Sequence, residues 1–435
     1  MNLLKKSVLN TGKICSATAL VFSLTLSACS AQDSPSSTGT ENIQEAAEAP
    51  ENAQEAAVTE TPEISVAEAP EETAVAEEPE IILPETVEIL GKEYEVTETS
   101  LDLSDMTPED ADSVIPKLRE MTSLETVDLM PEEGDPLLSL QDVAVLKEAV
   151  PKVHFIYEFD LFDTHLTTSD TEAIFVKKEI GNENEETVRQ IISVMDECGY
   201  FLFDDCGIDD EIMAQIREDH PETKIVWRIH VGWKSALTDD QVIRMTHGIN
   251  DSMTGPLKYC TEVLYMDLGH DSGITDISFI ENMPDLQCLI LSDAQFADLT
   301  PLTNCHDLEW LELVSCYHIK NLEVIADMDS VRYLNISFTR TSDISGIMDM
   351  DLERFSCIGN YVPQEQRDEF AEKHPDSLIV YSGNPYGYAW RYDDYGYHYF
   401  SYYARMREVF RYDQGCPGGF KMPEESQENR PPDSP

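Results

Sequence analysis

The chain has 435 residues, 85 Asp plus Glu against 29 Lys plus Arg, a formal charge of −56 and 41% hydrophobic residues. That length and apolar fraction suit one large or two ordinary folded domains and exclude a wholly disordered protein. The charge excludes DNA and RNA as partners, because nucleic-acid binding must neutralise phosphates with Lys and Arg.

The first segment, 1–29, carries Lys5, Lys6 and Lys13 ahead of an apolar run through Leu20, Val21, Phe22 and Leu24. Charge followed by a short apolar stretch is the layout of an export signal, too brief for a settled membrane span. It ends in Leu26-Ser27-Ala28-Cys29, which resembles the lipobox of bacterial lipoproteins. The resemblance implies that the thiol of Cys29 receives a diacylglycerol and becomes the first mature residue, anchoring the protein on the outer side of a bacterial cell membrane. Two or three acyl chains hold far more firmly than one, since each buried CH₂ adds roughly 0.8 kcal/mol.

Residues 30–86 follow, almost entirely Glu, Ala, Pro, Thr, Ser and Gln, with fifteen acidic residues and no basic one. One sign of charge and few large apolar side chains predict a disordered acidic stalk. A flexible coil of that length spans roughly 40 Å. The body, 87–420, holds 66 acidic against 24 basic residues, a net of −42. Such a field favours cationic ligands or metal ions, or simply keeps the surface solvated.

Residues 87–260 carry longer units. Glu98/Leu101/Leu103, Leu124/Val127/Leu129 and Cys198/Phe201/Phe203 fit one strand template, and less regular strands are predicted at 155–159, 174–176 and 225–229. Thr107-Pro108-Glu109-Asp110 opens a helix with a cap, a first-turn proline and early acids, and Val114, Ile115, Leu118 and Met121 form its apolar face. Val188, Ile191, Ile192 and Met195 repeat the pattern, as do Ile212 and Ile216.

Residues 261–360 carry compact repeats. Val263/Met266/Leu268, Leu286/Leu289/Leu291, Leu308/Leu311/Leu313, Val331/Leu334/Ile336 and Leu352/Phe355/Cys357 share the form L-x-x-L-x-L, their first positions 23, 22, 23 and 21 residues apart. This is the period of a leucine-rich repeat, in which one strand and one turn per unit stack to bury the leucines jointly. The ninth positions, Asp271, Ala294, Cys316, Thr339 and Asn360, are mostly small and polar, with Ala294 the weakest. The predicted fold is therefore α/β: a leucine-rich-repeat solenoid with a curved parallel sheet, helices on the convex side in the N-terminal half, and short turns or 3-10 segments in the C-terminal half.

Within the template the third and fifth residues point away from the leucines, because strand side chains alternate. Tyr265, Cys288, Trp310, Tyr333 and Arg354 form one column and Asp267, Ile290, Glu312, Asn335 and Ser356 a second. Neighbouring strands lie about 4.8 Å apart, so Trp310 and Tyr333 should touch. Aromatics and Arg beside carboxylates suit a binding face, although cross-strand aromatic pairs also stabilise sheets. The candidate concave site is Tyr265, Asp267, Trp310, Glu312, Tyr333, Asn335 and Arg354, taking a protein or peptide partner.

Residues 361–413 are predicted to be a C-terminal aromatic cap, because a solenoid must close its last hydrophobic face. Between Tyr381 and Tyr412 thirteen of 32 residues are aromatic, among them Tyr386, Tyr388, Trp390, Tyr392, Tyr395, Tyr397 and Tyr399. The competing reading is a glycan- or peptide-stacking patch with Asp393 and Asp394 as acceptors. Residues 414–435, rich in Gly and Pro, are predicted to be a disordered tail.

The capped helix with "SLETVDL", the stretch "DDCGIDDEIMAQIREDHPETKIVWRIHVGW", "PLKYCTEVLYMDLGH" with "ITDISFI", the repeats to Asn360 and a terminal "MREVF" resemble leucine-rich-repeat lipoproteins of anaerobic Gram-positive gut bacteria, with internalin-like repeats downstream of helix-bearing ones. The resemblance covers roughly residues 95–412. It implies an extracellular repeat protein without a defined activity.

Catalytic chemistry has no support. There is no G-x-S-x-G elbow, no phosphate-cradling glycine loop and no HExxH among the ten histidines. Of the ten cysteines, most beyond Cys15 and Cys29 sit at small buried template positions, which favours free thiols over disulfides and disfavours a metal site. No cofactor and no nucleic acid are implied, and a monomer is expected, mediating protein–protein interaction or adhesion, with a glycan-binding or glycan-active envelope protein as the alternative.

Overall fold

The computed structural model describes residues 85–386, 388–393 and 398–422. The export signal, Cys29 and nearly all of the stalk lie outside the described residues, as do Asp394, Tyr395 and Tyr397.

The described chain is mixed α/β with parallel sheets. It opens with an antiparallel hairpin, β1 (Thr86–Ile89) and β2 (Lys92–Glu95), turned by Leu90 and Gly91 at positive φ. Three parallel strands follow, β3 (Ser100–Asp102), β4 (Thr126–Asp128) and β5 (His154–Ile156), with α1 (Ala111–Glu120) and α2 (Leu140–Ala149) between them. The predicted cap is present: both the N–H and the hydroxyl of Thr107 donate to Asp110, at 2.9 and 2.7 Å. Val114 and Leu118 are buried. Ser139 and Asp142 start α2 in the same way.

An antiparallel hairpin, β6 (Glu158–Leu161) and β7 (Thr164–Thr167), interrupts the parallel strands. Next come β8 (Glu172–Val176), β9 (Tyr200–Asp204) and β10 (Lys224–Val231) in parallel, with α3 (Glu185–Val194) and α4 (Asp210–Asp219) between them, and β11 (Lys234–Leu237) folding back on β10. The two hairpins are copies of one device seventy positions apart. Thr168 accepts the N–H of Tyr157 through its hydroxyl, and Thr238 does the same for Trp227. Asp170 accepts the N–H of Thr167, and Asp240 that of Leu237. The aromatic of each hairpin donates to the N-terminal end of the preceding helix, Tyr157 to the Leu138 carbonyl just ahead of α2 and Trp227 to the carboxylate of Asp210, the first residue of α4. The α2 and α4 helices share the offset. A duplicated helix–strand–hairpin unit therefore accounts for the irregular 131–180 region.

The five compact repeats each supply one strand, β13 (Tyr265–Asp267), β14 (Cys288–Ile290), β15 (Trp310–Glu312), β16 (Tyr333–Asn335) and β17 (Arg354–Ser356), to an eight-stranded sheet that β12 (Val242–Arg244) and β18 (Leu378–Val380) extend in parallel on either side. The register runs Met266, Leu289, Leu311, Leu334, Phe355 across adjacent strands, and the last four are fully buried with the flanking leucines in one continuous core. Short helical turns at Ser278–Asn282, Thr300–Asn304 and Ser345–Ile347, with α5 (Asp251–Thr254) and α6 (Glu323–Ala326), carry the chain back. The residue before each ninth position is left-handed: His270, Asp293, Ser315, Phe338 and Gly359 all have φ between 59° and 71°. At the weak turn, Asp293 donates its N–H to the Val314 carbonyl at 2.7 Å and Cys316 its thiol to the Leu291 carbonyl at 3.1 Å, so backbone and neighbour replace what Ala294 lacks.

The eight cysteines among the described residues are free thiols, and all but Cys416 are buried. Burial pushes the Cys305 and Cys357 thiols up to about 12.

Two expectations fail at the C-terminus. The end of the repeats is closed by α7 (Gln364–Lys373) and β18, which adds one more strand, and not by the aromatic segment. That segment, containing α8 (Tyr388–Arg391), the pair β19 (Tyr392–Asp393) and β20 (His398–Tyr399), and α9 (Ser401–Val409), returns over the face of the sheet opposite the leucines. Nor is the start of the predicted tail irregular: within residues 414–422, β21 (Gly418–Phe420) pairs antiparallel with β12, at the far edge of the sheet from β18, and residues 423–435 lie outside the described residues. Gly418 and Gly419 permit this, because a Cβ on either would lie 2.3 Å from Ser235 or Ala236 of β11.

Candidate functional site

The two predicted columns align as the register requires, Tyr265, Cys288, Trp310, Tyr333, Arg354 and Asp267, Ile290, Glu312, Asn335, Ser356. Trp310 and Tyr333 stack at 5.4 Å between ring centroids. The expectation that this face is open is wrong. Tyr265, Asp267, Trp310, Glu312, Tyr333 and Asn335 are all buried and Arg354 is half-buried, because the aromatic segment fills the space above them.

Each of the seven candidate residues contacts that segment. Tyr265 meets Phe410 edge-on at 5.9 Å. Asp267 accepts a hydrogen bond from the Tyr412 hydroxyl at 2.7 Å. Trp310 lies 4.7 Å from Trp390 and 5.7 to 5.9 Å from Phe400, Tyr402 and Tyr403. Glu312 accepts from the Trp390 indole at 2.9 Å and from the Arg391 guanidinium at 2.6 Å. Tyr333 packs on Tyr402 at 4.7 Å. Asn335 donates to the Pro385 carbonyl at 3.0 Å. Arg354 stacks on Phe400 at 3.6 Å and pairs with Asp393 at 2.7 Å. Aromatics, Arg and buried acids are the residue types that dominate protein interfaces; here the partner is the same chain.

The electrostatics follow from burial. Desolvation raises the pKa of Asp267, against the pull of the Gly269 N–H and the Tyr412 hydroxyl. Burial opposes the Arg391 charge, but the Glu312 carboxylate outweighs it and the guanidinium pKa rises. Burial pushes the Tyr402 and Tyr412 hydroxyls well above the usual phenol range.

Sequence reasoning missed Arg244, whose guanidinium donates to the carbonyls of Phe410, Arg411, Gln414 and Gly415 at 2.6 to 3.0 Å. Its strand was hidden because Asp240 stands where the template has an apolar residue, 23 positions before Val263. The signal that was present is the density of aromatics and arginines between 381 and 412, too rich for an end cap alone.

A different part of the same kind of face is uncovered. On β8, Ala173 and Phe175 are buried in the core, whereas Ile174 and Val176 point outward with 48% and 44% of their surface exposed. Ile174 is in register with the half-buried Leu202, and the rim carries Glu172, Asp204 and Asp205. Arg228 pairs with Asp204 there.

Among the described residues no helix is long and apolar enough to cross a membrane, and no group of three His, Cys, Asp or Glu residues is placed to hold a metal ion. No family model and no curated protein matches the sequence. Solved structures similar to it are leucine-rich-repeat proteins. One internalin of Listeria monocytogenes is 18% identical, with a TM-score of 0.30 over 60% of this chain and 75% of its own. A leucine-rich-repeat protein of Leptospira interrogans is 15% identical, with a TM-score of 0.27 over 61% and 74%. The functional domain of a second Listeria monocytogenes internalin, described as including a cysteine ladder, is 12% identical, with a TM-score of 0.26 over 66% and 64%.

Proposed function

We propose that the chain is a lipid-anchored, extracellular repeat protein of the bacterial cell membrane that captures a protein partner, and that the capture surface is the uncovered sheet face around β8. The lipobox-like Leu26-Ser27-Ala28-Cys29 and the acidic stalk support the tether. The observation that carries the surface is the outward pair Ile174 and Val176 beside Leu202, apolar side chains left to water on a strand whose other face is fully packed. Covering them removes apolar surface worth roughly 25 cal/mol per Å². Beside them the exposed Glu172 has no basic partner among the described residues, which favours a segment that presents apolar side chains flanked by Lys or Arg. In the C-terminal repeats the corresponding face is closed to a protein partner by the returning segment, and Tyr265, Asp267, Trp310, Glu312, Tyr333, Asn335 and Arg354 act there by holding that segment.

The test is binding of the full chain to a series of immobilised extended peptides with alternating Val and Lys, and to their Glu-for-Lys counterparts. The basic series should bind saturably, and Ile174→Glu with Val176→Glu should abolish binding while leaving the unfolding midpoint within a degree or two. Equal binding of the acidic series, or full binding by the double variant, rejects the surface.

A further inference from the structure

We propose that the half-open cavity between the sheet and the returning segment binds a small organic monocarboxylate. The cavity has a volume of about 380 Å³ and is lined by Asp267, Glu312, Arg244, Arg391, Arg407 and Tyr412 among others. That volume accommodates a molecule the size of an aromatic acid or a sugar acid.

The charges on its wall do not balance. Asp267 is engaged by the Gly269 N–H at 2.9 Å and by Tyr412. Glu312 is engaged by Trp390 and Arg391. Arg244 is committed to four backbone carbonyls. Two guanidiniums retain unused capacity. The Nε of Arg391 is buried and has no hydrogen-bond partner. Arg407 lies over the rings of Tyr399 and Tyr412, at 4.7 and 5.7 Å, and forms no ion pair among the described residues. In a chain with 85 acidic residues against 29 basic ones, an arginine with no carboxylate is set apart from the bulk composition.

Three guanidiniums against two carboxylates leave one uncompensated positive charge inside a body that is otherwise strongly negative. A buried donor without an acceptor, as at the Arg391 Nε, is unfavourable, and the half-buried Arg407 adds to the same wall a cation that favours an anion of matching charge. The excess is one, which selects a monoanion over a dianion such as phosphate. The fork geometry of guanidinium matches a carboxylate, and the rings of Tyr386, Tyr403 and Tyr412 in the lining supply flat walls for the body of the ligand. This site is independent of the β8 face, so the two readings stand or fall separately.

The experiment is titration calorimetry of the full chain with benzoate and with glucuronate, using inorganic phosphate and neutral benzamide as controls. One of the carboxylates should bind saturably, with Arg407→Gln weakening it at least tenfold and Arg407→Lys less. Ile174→Glu with Val176→Glu should leave that binding unchanged. Arg407→Gln touches no ion pair, and its thermal midpoint, measured alongside, should match the parent. Absence of saturable binding by either carboxylate, tighter binding of phosphate or benzamide, or binding that survives Arg407→Gln overturns the proposal.

Discussion

Asp240 shows how one side chain records two demands. It occupies an apolar slot of the repeat template and is 3% exposed, yet its carboxylate accepts the Leu237 N–H at 2.7 Å and so ends β11. Desolvation raises its pKa to about 6, against the Leu237 N–H, Lys421 and Arg228 and with the help of Asp239. Because the folded value lies above the unfolded one near 4, the folded state binds the proton more tightly. The stabilisation is complete below about pH 4 and is lost as pH rises through about 6. Urea unfolding at pH 4.5 and 7.5 should therefore show Asp240→Asn gaining roughly 2 kcal/mol on the parent at the higher pH. An equal difference at both pH values would place the shift elsewhere. The same residue explains a limit of the sequence: a polar group in a leucine slot hides a repeat, although its chemistry becomes plain once the hairpin it caps is seen. Asp376 hides β18 in the same manner, three residues before Ile379.

At the scale of elements, helices and strands with dense local signals were legible. The Thr107–Asp110 cap, the faces of α1, α3 and α4, and the five compact repeats are dictated by neighbours within a few residues or by a fixed period. Long-range placement was not. Nothing local to Trp390 or Arg391 tells whether they close the end of the sheet or return across it. What decides is complementarity between distant residues: Glu312 with Arg391 across 79 positions and Asp267 with Tyr412 across 145. The seventy-residue duplication escaped for another reason, because the copies keep hydrogen-bonding roles (Tyr157 and Trp227, Thr168 and Thr238) more than residue identity. The Glu312–Arg391 pair carries a prediction of its own. Glu312 is fully buried, so Glu312→Leu strands the Arg391 charge and should cost about 3–5 kcal/mol, whereas Glu312→Leu with Arg391→Met should recover most of it. A double variant no better than the single one in chemical unfolding would mean that the pair contributes through packing alone.

For the whole molecule, the decisive quantity is the net charge of −42 on residues 87–420. Its effect depends on how charges are distributed by depth. The pairs that fasten the returning segment, Glu312 with Arg391 and Arg354 with Asp393, have at least one largely buried partner and are screened weakly. Exposed contacts such as Lys373 with Asp349 and Arg332 with Asp351 contribute little at any ionic strength. What salt acts on is therefore the repulsion among unpaired surface carboxylates, which the unfolded chain relieves by expanding. Raising NaCl shortens the screening length from about 30 Å at 0.01 M to about 8 Å at 0.15 M, and the folded state gains more than the unfolded one. The unfolding midpoint should climb by several degrees over that range, most steeply at the low end. A midpoint that falls with salt would show that surface ion pairs, and not the apolar core with its buried anchors, hold the repeats and their returning segment together.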